Sequence, residues 1–261
     1  MKIKITRGIF YQSCLMFLFI GAFTCNAQLV TSSADDGTDG TLRQQIADAP
    51  DGGTITFSTD INSIILMMGE IEIDKSLIII GNGIEETTIS GNSASRIFNI
   101  KAGTVDLKNF ALSEGYADSG GAIRLANSEL SLENIKISNS IAIGISGSGG
   151  AIYNDVGGSI NINNCIFDGN VANRAGGAIE DNSGEGLSIS ISNSTFELNN
   201  AGVAPANAAP GNGGAIHITG EGSIEISGGS FDQNKAAKEG GALWNGLGTM
   251  VIKQSSIIGN Y

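Results

Sequence analysis

GGAIHITGEGSIEISGGSFDQN, residues 213–234, holds one histidine, two glutamates and one aspartate among glycine, serine and small or branched apolar residues. Its meaning lies in its recurrence. GGAIRL begins at Gly120, GGAIYN at Gly149, GGAIED at Gly176, GGAIHI at Gly213 and GGALWN at Gly240, at spacings of 29, 27, 37 and 27 residues. A second signature, F-x-x-N, falls between them as FDGN at Phe167, FELN at Phe196 and FDQN at Phe231. IIGN at Ile257 is a degraded copy, and FALS at Phe110 and ISNS at Ile137 are weaker ones. The long gap is explained by VAPANAAPGN, residues 203–212, inserted after Phe196. A fixed period with one loop-like insertion is the trace of a solenoid.

Each period contains three short alternating runs, such as GGAIY, GSININ and CIFDG. Alternation at period two marks strands, and the Gly, Asn, Ser and Asp between them tolerate tight corners and left-handed backbone. The pattern predicts an all-β fold: a single-stranded parallel β-helix with three strands per coil and about seven coils, stacked about 4.8 Å apart. Ile152, Ile179, Ile216 and Leu243 would form one interior column and Phe167, Phe196 and Phe231 another. The Asn of F-x-x-N would sit at a corner, its amide bonding to backbone or to the next Asn. Cys165 shares the parity of Phe167 and should pack as a small apolar group.

The N-terminal part differs. In TLRQQIADAPDGGTITF, Thr41 is followed three residues later by Gln44, a capping-box pattern, and Pro50 ends the segment. A short helix over residues 41–48 is expected to close one end of the solenoid, where exposed strand edges would otherwise invite aggregation. The other end stops at SSIIGNY, in the middle of a repeat. Either the natural protein is longer or a partner covers that end.

Residues 1–27 read as a secretory signal: MKIKITR is basic, CLMFLFIGAF is an apolar run of ten, and CNA before Gln28 is a small-residue cleavage site. Cleavage is expected after Ala27, because AFT before Cys25 fits a lipid-attachment box poorly. The resulting division is a signal over 1–27, an N-terminal cap over 28–53 and repeats over 54–261, truncated or continuing beyond. The whole chain carries 14 basic and 26 acidic residues, a formal charge of -12, and the mature chain would carry -15. Such a surface repels nucleic acid and anionic lipid. Of three cysteines only Cys165 survives cleavage, so no internal disulfide is expected. Apolar residues make up 41% of the chain, enough for a packed core and too many for a disordered Gly-rich one.

The GGA-I/L and F-x-x-N tetrapeptides together resemble the repeats of the chlamydial-type polymorphic outer membrane proteins, which are autotransporter adhesins. The segment from Thr41 is similar to the SLREAI element near the N-terminus of exported bacterial β-helix proteins, without the Cys that usually precedes it. The resemblance covers about residues 35–261. It implies a right-handed, pectin-lyase-like β-helix, secreted or displayed at the outer surface, with an extracellular glycan or a host or neighbouring cell surface as partner. The family usually carries a C-terminal barrel or sorting domain, which this sequence lacks.

If Ile152 points inward, Tyr153 points outward, and the same phase exposes Arg124, Tyr153, Glu180, His217 and Trp244, one per coil. At about 4.8 Å per coil the column spans roughly 20 Å, enough for several sugar units. Aromatic residues anchor interfaces and stack on sugar rings, so the column is a candidate ligand-binding stripe. A lyase or hydrolase on this scaffold would need clustered carboxylates. Asp155 and Asp181 lie near equivalent strand ends with Glu180 beside them, a conceivable Ca²⁺ site. Arg174, the nearest candidate base, falls in a corner segment. The Asn-Thr-Asp, Asp-Asp and Gly-His-Gly motifs of polygalacturonases are absent from the repeats, and His217 has no evident partner, which makes a surface histidine the default. SADDGTDG, residues 33–40, resembles a calcium loop only loosely, because the closing Glu of an EF-hand is missing. No cofactor is expected. The readings carried forward are an adhesive surface passenger and, as the alternative, a carbohydrate-active lyase or hydrolase.

Overall fold

A computed structural model describes residues 27–203 and 210–261. The expected signal peptide, apart from Ala27, and residues 204–209 of the insertion lie outside the described residues. The rest is an all-β parallel solenoid of about eight turns with one short helix.

One coil shows how the repeat becomes structure. Its strands are Ile152–Asn154, Ser159–Asn163, Ile166–Asp168 and Val171–Ala172, and each pairs in parallel with its counterpart a coil later. The pairing is in register, Ile152 with Ile179 and Phe167 with Phe196. The second and third strands join one 15-stranded sheet, the first a seven-stranded sheet and the last a five-stranded sheet. The three runs read from the sequence are therefore strands, and a fourth strand of two residues closes the coil. Asn164 breaks the second run from the third, in left-handed conformation at φ 53°. Asn193 does the same a coil later, whereas Asn109 and Asn134 adopt the left-handed conformation within the single ten-residue strands Thr104–Ser113 and Glu129–Ser138.

The paired glycines have separate duties. The first of each pair, from Gly120 to Gly240, adopts φ between 61° and 64°, where an L side chain is strained. The second is needed because the next coil leaves no room: a Cβ on Gly150 would stand 2.1 Å from the carbonyl oxygen of Gly177, and one on Gly177 2.1 Å from that of Gly214.

Inside, the isoleucine and phenylalanine columns are fully buried. Phe167 and Phe196 stack with ring centroids 4.5 Å apart, and Phe196 and Phe231 at 4.8 Å, planes within 6°. Aromatic pairs left to themselves prefer offset or edge-on geometry, so the strand spacing imposes this near-parallel stack. Cys165 is buried beside them, and burial pushes its thiol up to about 11.

The asparagines of F-x-x-N form a ladder. Asn199 Oδ1 accepts from both the backbone N–H and the side-chain amide of Asn170, each at 3.0 Å. Its own amide donates to Asn234 Oδ1 at 2.9 Å and to the Phe167 carbonyl at 3.0 Å. Asn234 repeats the arrangement onto Asn260. Each corner thus holds the next, in a buried setting where hydrogen bonds are strong and orphans costly.

The helix runs Leu42–Asp48, with Thr41 as N-cap accepting from the N–H of Gln44 and with Leu42 and Ile46 in the core. It packs against the first strand, Gln28–Val30, at one end of the large sheet. The loosely calcium-like segment before it serves the fold. Asp35 receives two hydrogen bonds from Arg43, at 2.7 and 3.0 Å, and one each from the N–H groups of Met67 and Met68. Burial raises its pKa, but the Arg43 and backbone hydrogen bonds outweigh it, and the carboxyl titrates below its ordinary value. Asp36 accepts from the backbone and hydroxyl of Thr38.

Asn199→Ala removes both halves of one rung and strands the buried N–H of Asn170. We expect a loss of about 3 kcal/mol in denaturant unfolding, from orphans of about 1–3 kcal/mol each. A loss below about 0.5 kcal/mol, the range of an ordinary surface substitution, would show the ladder to be ornamental.

Candidate functional site

The seven-stranded sheet aligns Arg124, Tyr153, Glu180, His217 and Trp244 one behind another in register. The geometry of the expected column is thus present, but its exposure is not. Glu180 is 0% exposed and His217 3%, while Arg124, Tyr153 and Trp244 are partly buried. All five point away from the core, and the middle of the column is roofed over by neighbouring corners.

The roof explains the chemistry. Arg174, six residues before Glu180, donates from Nη2 to Glu180 Oε1 at 3.2 Å and from Nε to Ser148 Oγ at 2.9 Å. The Thr219 hydroxyl also donates to Glu180 Oε1 and lies 3.2 Å from His217 Nδ1. His217 Nδ1 is 2.8 Å from Glu180 Oε2, but the ring N–H is poorly aligned with it. Oε2 therefore lacks a well-directed donor among the described residues. The imidazole lies flat on the indole of Trp244, centroids 4.2 Å apart and planes within 6°. Trp244 Nε1 donates to Glu239 Oε2 at 3.0 Å. The histidine expected at the surface without a partner is buried among Thr219, Glu180 and Trp244. His217 and Trp244 are the single histidine and single tryptophan of the chain, and they are stacked together.

Beside this pair lies an open depression of about 450 Å³, lined by Arg174, Pro210, Asn212, His217, Thr219 and Trp244 among others. Asn212 belongs to a second register column, Ser148, Ala175, Asn212 and Glu239, the residues immediately before each Gly-Gly. It is 5% exposed, and its Oδ1 has no hydrogen-bond partner among the described residues. Ser148 and Glu239 of that column hold Arg174 and Trp244. Sequence reasoning missed Asn212 and Thr219 and left Arg174 in a corner. Asn212 could have been found from its place immediately before a Gly-Gly pair, whereas Arg174 and Thr219 left no such signal.

The rest of the column is occupied locally. Arg124 pairs with Asp155 at 2.6 Å. The Tyr153 hydroxyl accepts from Asn182, and burial, then the charges of Asp155 and Glu180, raise its pKa.

The two carboxylates of the expected Asp155–Asp181 metal site lie on different sides of the strand. Asp181 is in register with Asn154, so it points inward while Asp155 stays outside on Arg124. Among the described residues no cluster of three His, Cys, Asp or Glu side chains has the arrangement of a metal site. Asp181, 0% exposed, accepts from Asn154 Nδ2 at 2.7 Å, Ser188 Oγ at 2.6 Å and Ser183 Oγ at 3.1 Å. Burial raises its pKa, against the pull of these hydrogen bonds.

Two short stretches around these corner residues are similar to a known repeat. Residues 164–180 and 228–246 match the Chlamydia polymorphic membrane protein repeat, each from just before F-x-x-N through the following Gly-Gly. The chain carries that repeat. Together with the parallel solenoid it fits a β-helix protein of the polymorphic membrane protein kind. The two matched stretches include Arg174 and Glu180, and Glu239 and Trp244, while Asn212, His217 and Thr219 lie between them. No curated protein matches the chain significantly. Among solved structures, ORF18 of Geobacillus virus E2 aligns over 89% of this chain at 14% identity and a TM-score of 0.27. The chain spans 62% of that protein's length, and a likeness this loose carries no argument.

Because folded Asp181 holds its proton more tightly than the unfolded chain, stability grows as pH falls from neutrality through the raised pKa toward 3.8, and is lost as pH rises again. Asp181→Asn keeps the shape and lets the serine hydroxyls rotate to accept. It should stabilise the protein at pH 7 by about 1 kcal/mol, a gap that closes by about pH 4. Equal or lower melting temperature for the variant at pH 7 would mean the carboxylate is better satisfied than its burial implies.

Proposed function

We propose that this chain is an exported, right-handed β-helix passenger, displayed at the cell surface or released, whose role is adhesion through glycan contact. Right-handed winding follows from the crossover preference of parallel strands. Export is supported by the basic, apolar and small-residue order of residues 1–27. A surface role is supported by the polymorphic membrane protein repeat. Among the described residues no helix is long and apolar enough to cross a membrane.

The observation that carries the reading is where the chemistry sits. Interior and corner positions repeat the same residues coil after coil, as a structural wall requires. The outward column of the seven-stranded sheet instead changes residue in every coil and gathers the chain's only histidine and tryptophan. A rigid face of varied polar and aromatic side chains suits recognition. The lyase or hydrolase alternative drew on a carboxylate pair that the structure separates, and no observation now favours it.

On intact producer cells, antibody to the protein should label the surface, and the mature N-terminus should be Gln28. The purified protein on beads should retain glycan-coated particles, and Trp244→Ala should reduce retention about tenfold or more, as for an interface anchor. A chain starting at Met1 in the cytosolic fraction, or beads that retain nothing, would overturn the proposal.

A further inference from the structure

We infer that the depression beside His217 and Trp244 binds a ring of a neutral, hydroxyl-rich sugar rather than an acidic one. This rests on the glycan-contact reading and deepens it. The volume of about 450 Å³ lies within the range of small-molecule sites, about 300–1,000 Å³. Its lining combines an aromatic surface with a few converging polar groups, the usual makeup of such a site.

The polarity of those groups selects the ligand. Asn212, lining the depression and 5% exposed, leaves Oδ1 without a partner among the described residues. That atom is an acceptor closed off from solvent, and a buried acceptor without a donor costs free energy that a ligand hydroxyl would recover by drawing the side-chain amide toward it. Among the described residues the one guanidinium lining the depression is that of Arg174, and its charge is met by Glu180 at 3.2 Å. Glu239 on Trp244 Nε1 places a further carboxylate near the rim. A uronate carboxylate would meet acceptors and negative charge there, on a chain of formal charge -12. A neutral sugar offers hydroxyl donors and an apolar ring face.

Trp244 is the only tryptophan, so intrinsic emission reports on this site alone. The protein is titrated with oligomers of galactose, mannose and glucose, and separately with oligogalacturonate. At least one neutral oligomer should shift the emission saturably in the millimolar range, with no shift from oligogalacturonate at the same concentration. Asn212→Ala removes a side-chain oxygen that has no partner among the described residues, so it should not lower the melting temperature while weakening the neutral ligand about tenfold. Asn161→Ala, on the large sheet, should not change affinity. Silence with every neutral oligomer, equal response to oligogalacturonate, or unaltered affinity in Asn212→Ala each overturn the inference. If beads carrying the protein still retain glycan while the emission stays silent, only this site falls. If no glycan is retained in any form, the adhesion reading falls with it.

Discussion

Successive coils must lie one strand spacing apart and in register, and nearly every repeated residue answers to that distance. The second glycine of each pair exists because the carbonyl of the next coil stands where a Cβ would be, 2.1 Å away at Gly150 and Gly177. The Phe167–Phe196–Phe231 stack takes its 4.5 and 4.8 Å separations from the same spacing. So does the Asn170–Asn199–Asn234–Asn260 ladder, in which each amide bridges to the next coil at about 3 Å. Side chains that would be unremarkable alone become cooperative when the backbone repeats them at contact distance.

The same regularity makes the outer column a place for chemistry. Residues far apart in sequence become neighbours, as with Glu180 and His217, 37 positions apart and paired across one ladder step. A carboxylate in the middle of such a column can be buried without a core, since Arg174 and Thr219 arrive from adjacent corners to cover and bond it. Burial of an ionic group without its partners would be costly. Asp181 shows the other solution one residue later: it turns inward and is held by Asn154 and two serines, with its pKa raised.

The interior was legible because its rule is simple. Alternation separates in from out, and the constant distance from each Gly-Gly pair identifies Ile152, Ile179 and Ile216 as one column. The helix was legible from Thr41, Gln44 and Pro50. Counting from the isoleucines also places Asp181 level with Asn154, one position from Asp155 and on the other side of the strand. The burial of His217 was different. Parity predicts direction, and His217 does point away from the core. It does not predict what Thr219, Trp244 and the corner bearing Arg174 will fold across it.

By itself the sequence determined the solenoid, its period, its interior columns and the line along which outward residues stand, because these follow from local periodicity and from the conformations open to glycine and asparagine. Only the tertiary structure decided which outward residues are exposed, and that Arg174, Asn212, His217, Thr219 and Trp244 border one depression. Cover and enclosure come from corners of neighbouring coils, whose side chains meet through the stacking geometry and leave no pattern within any single repeat.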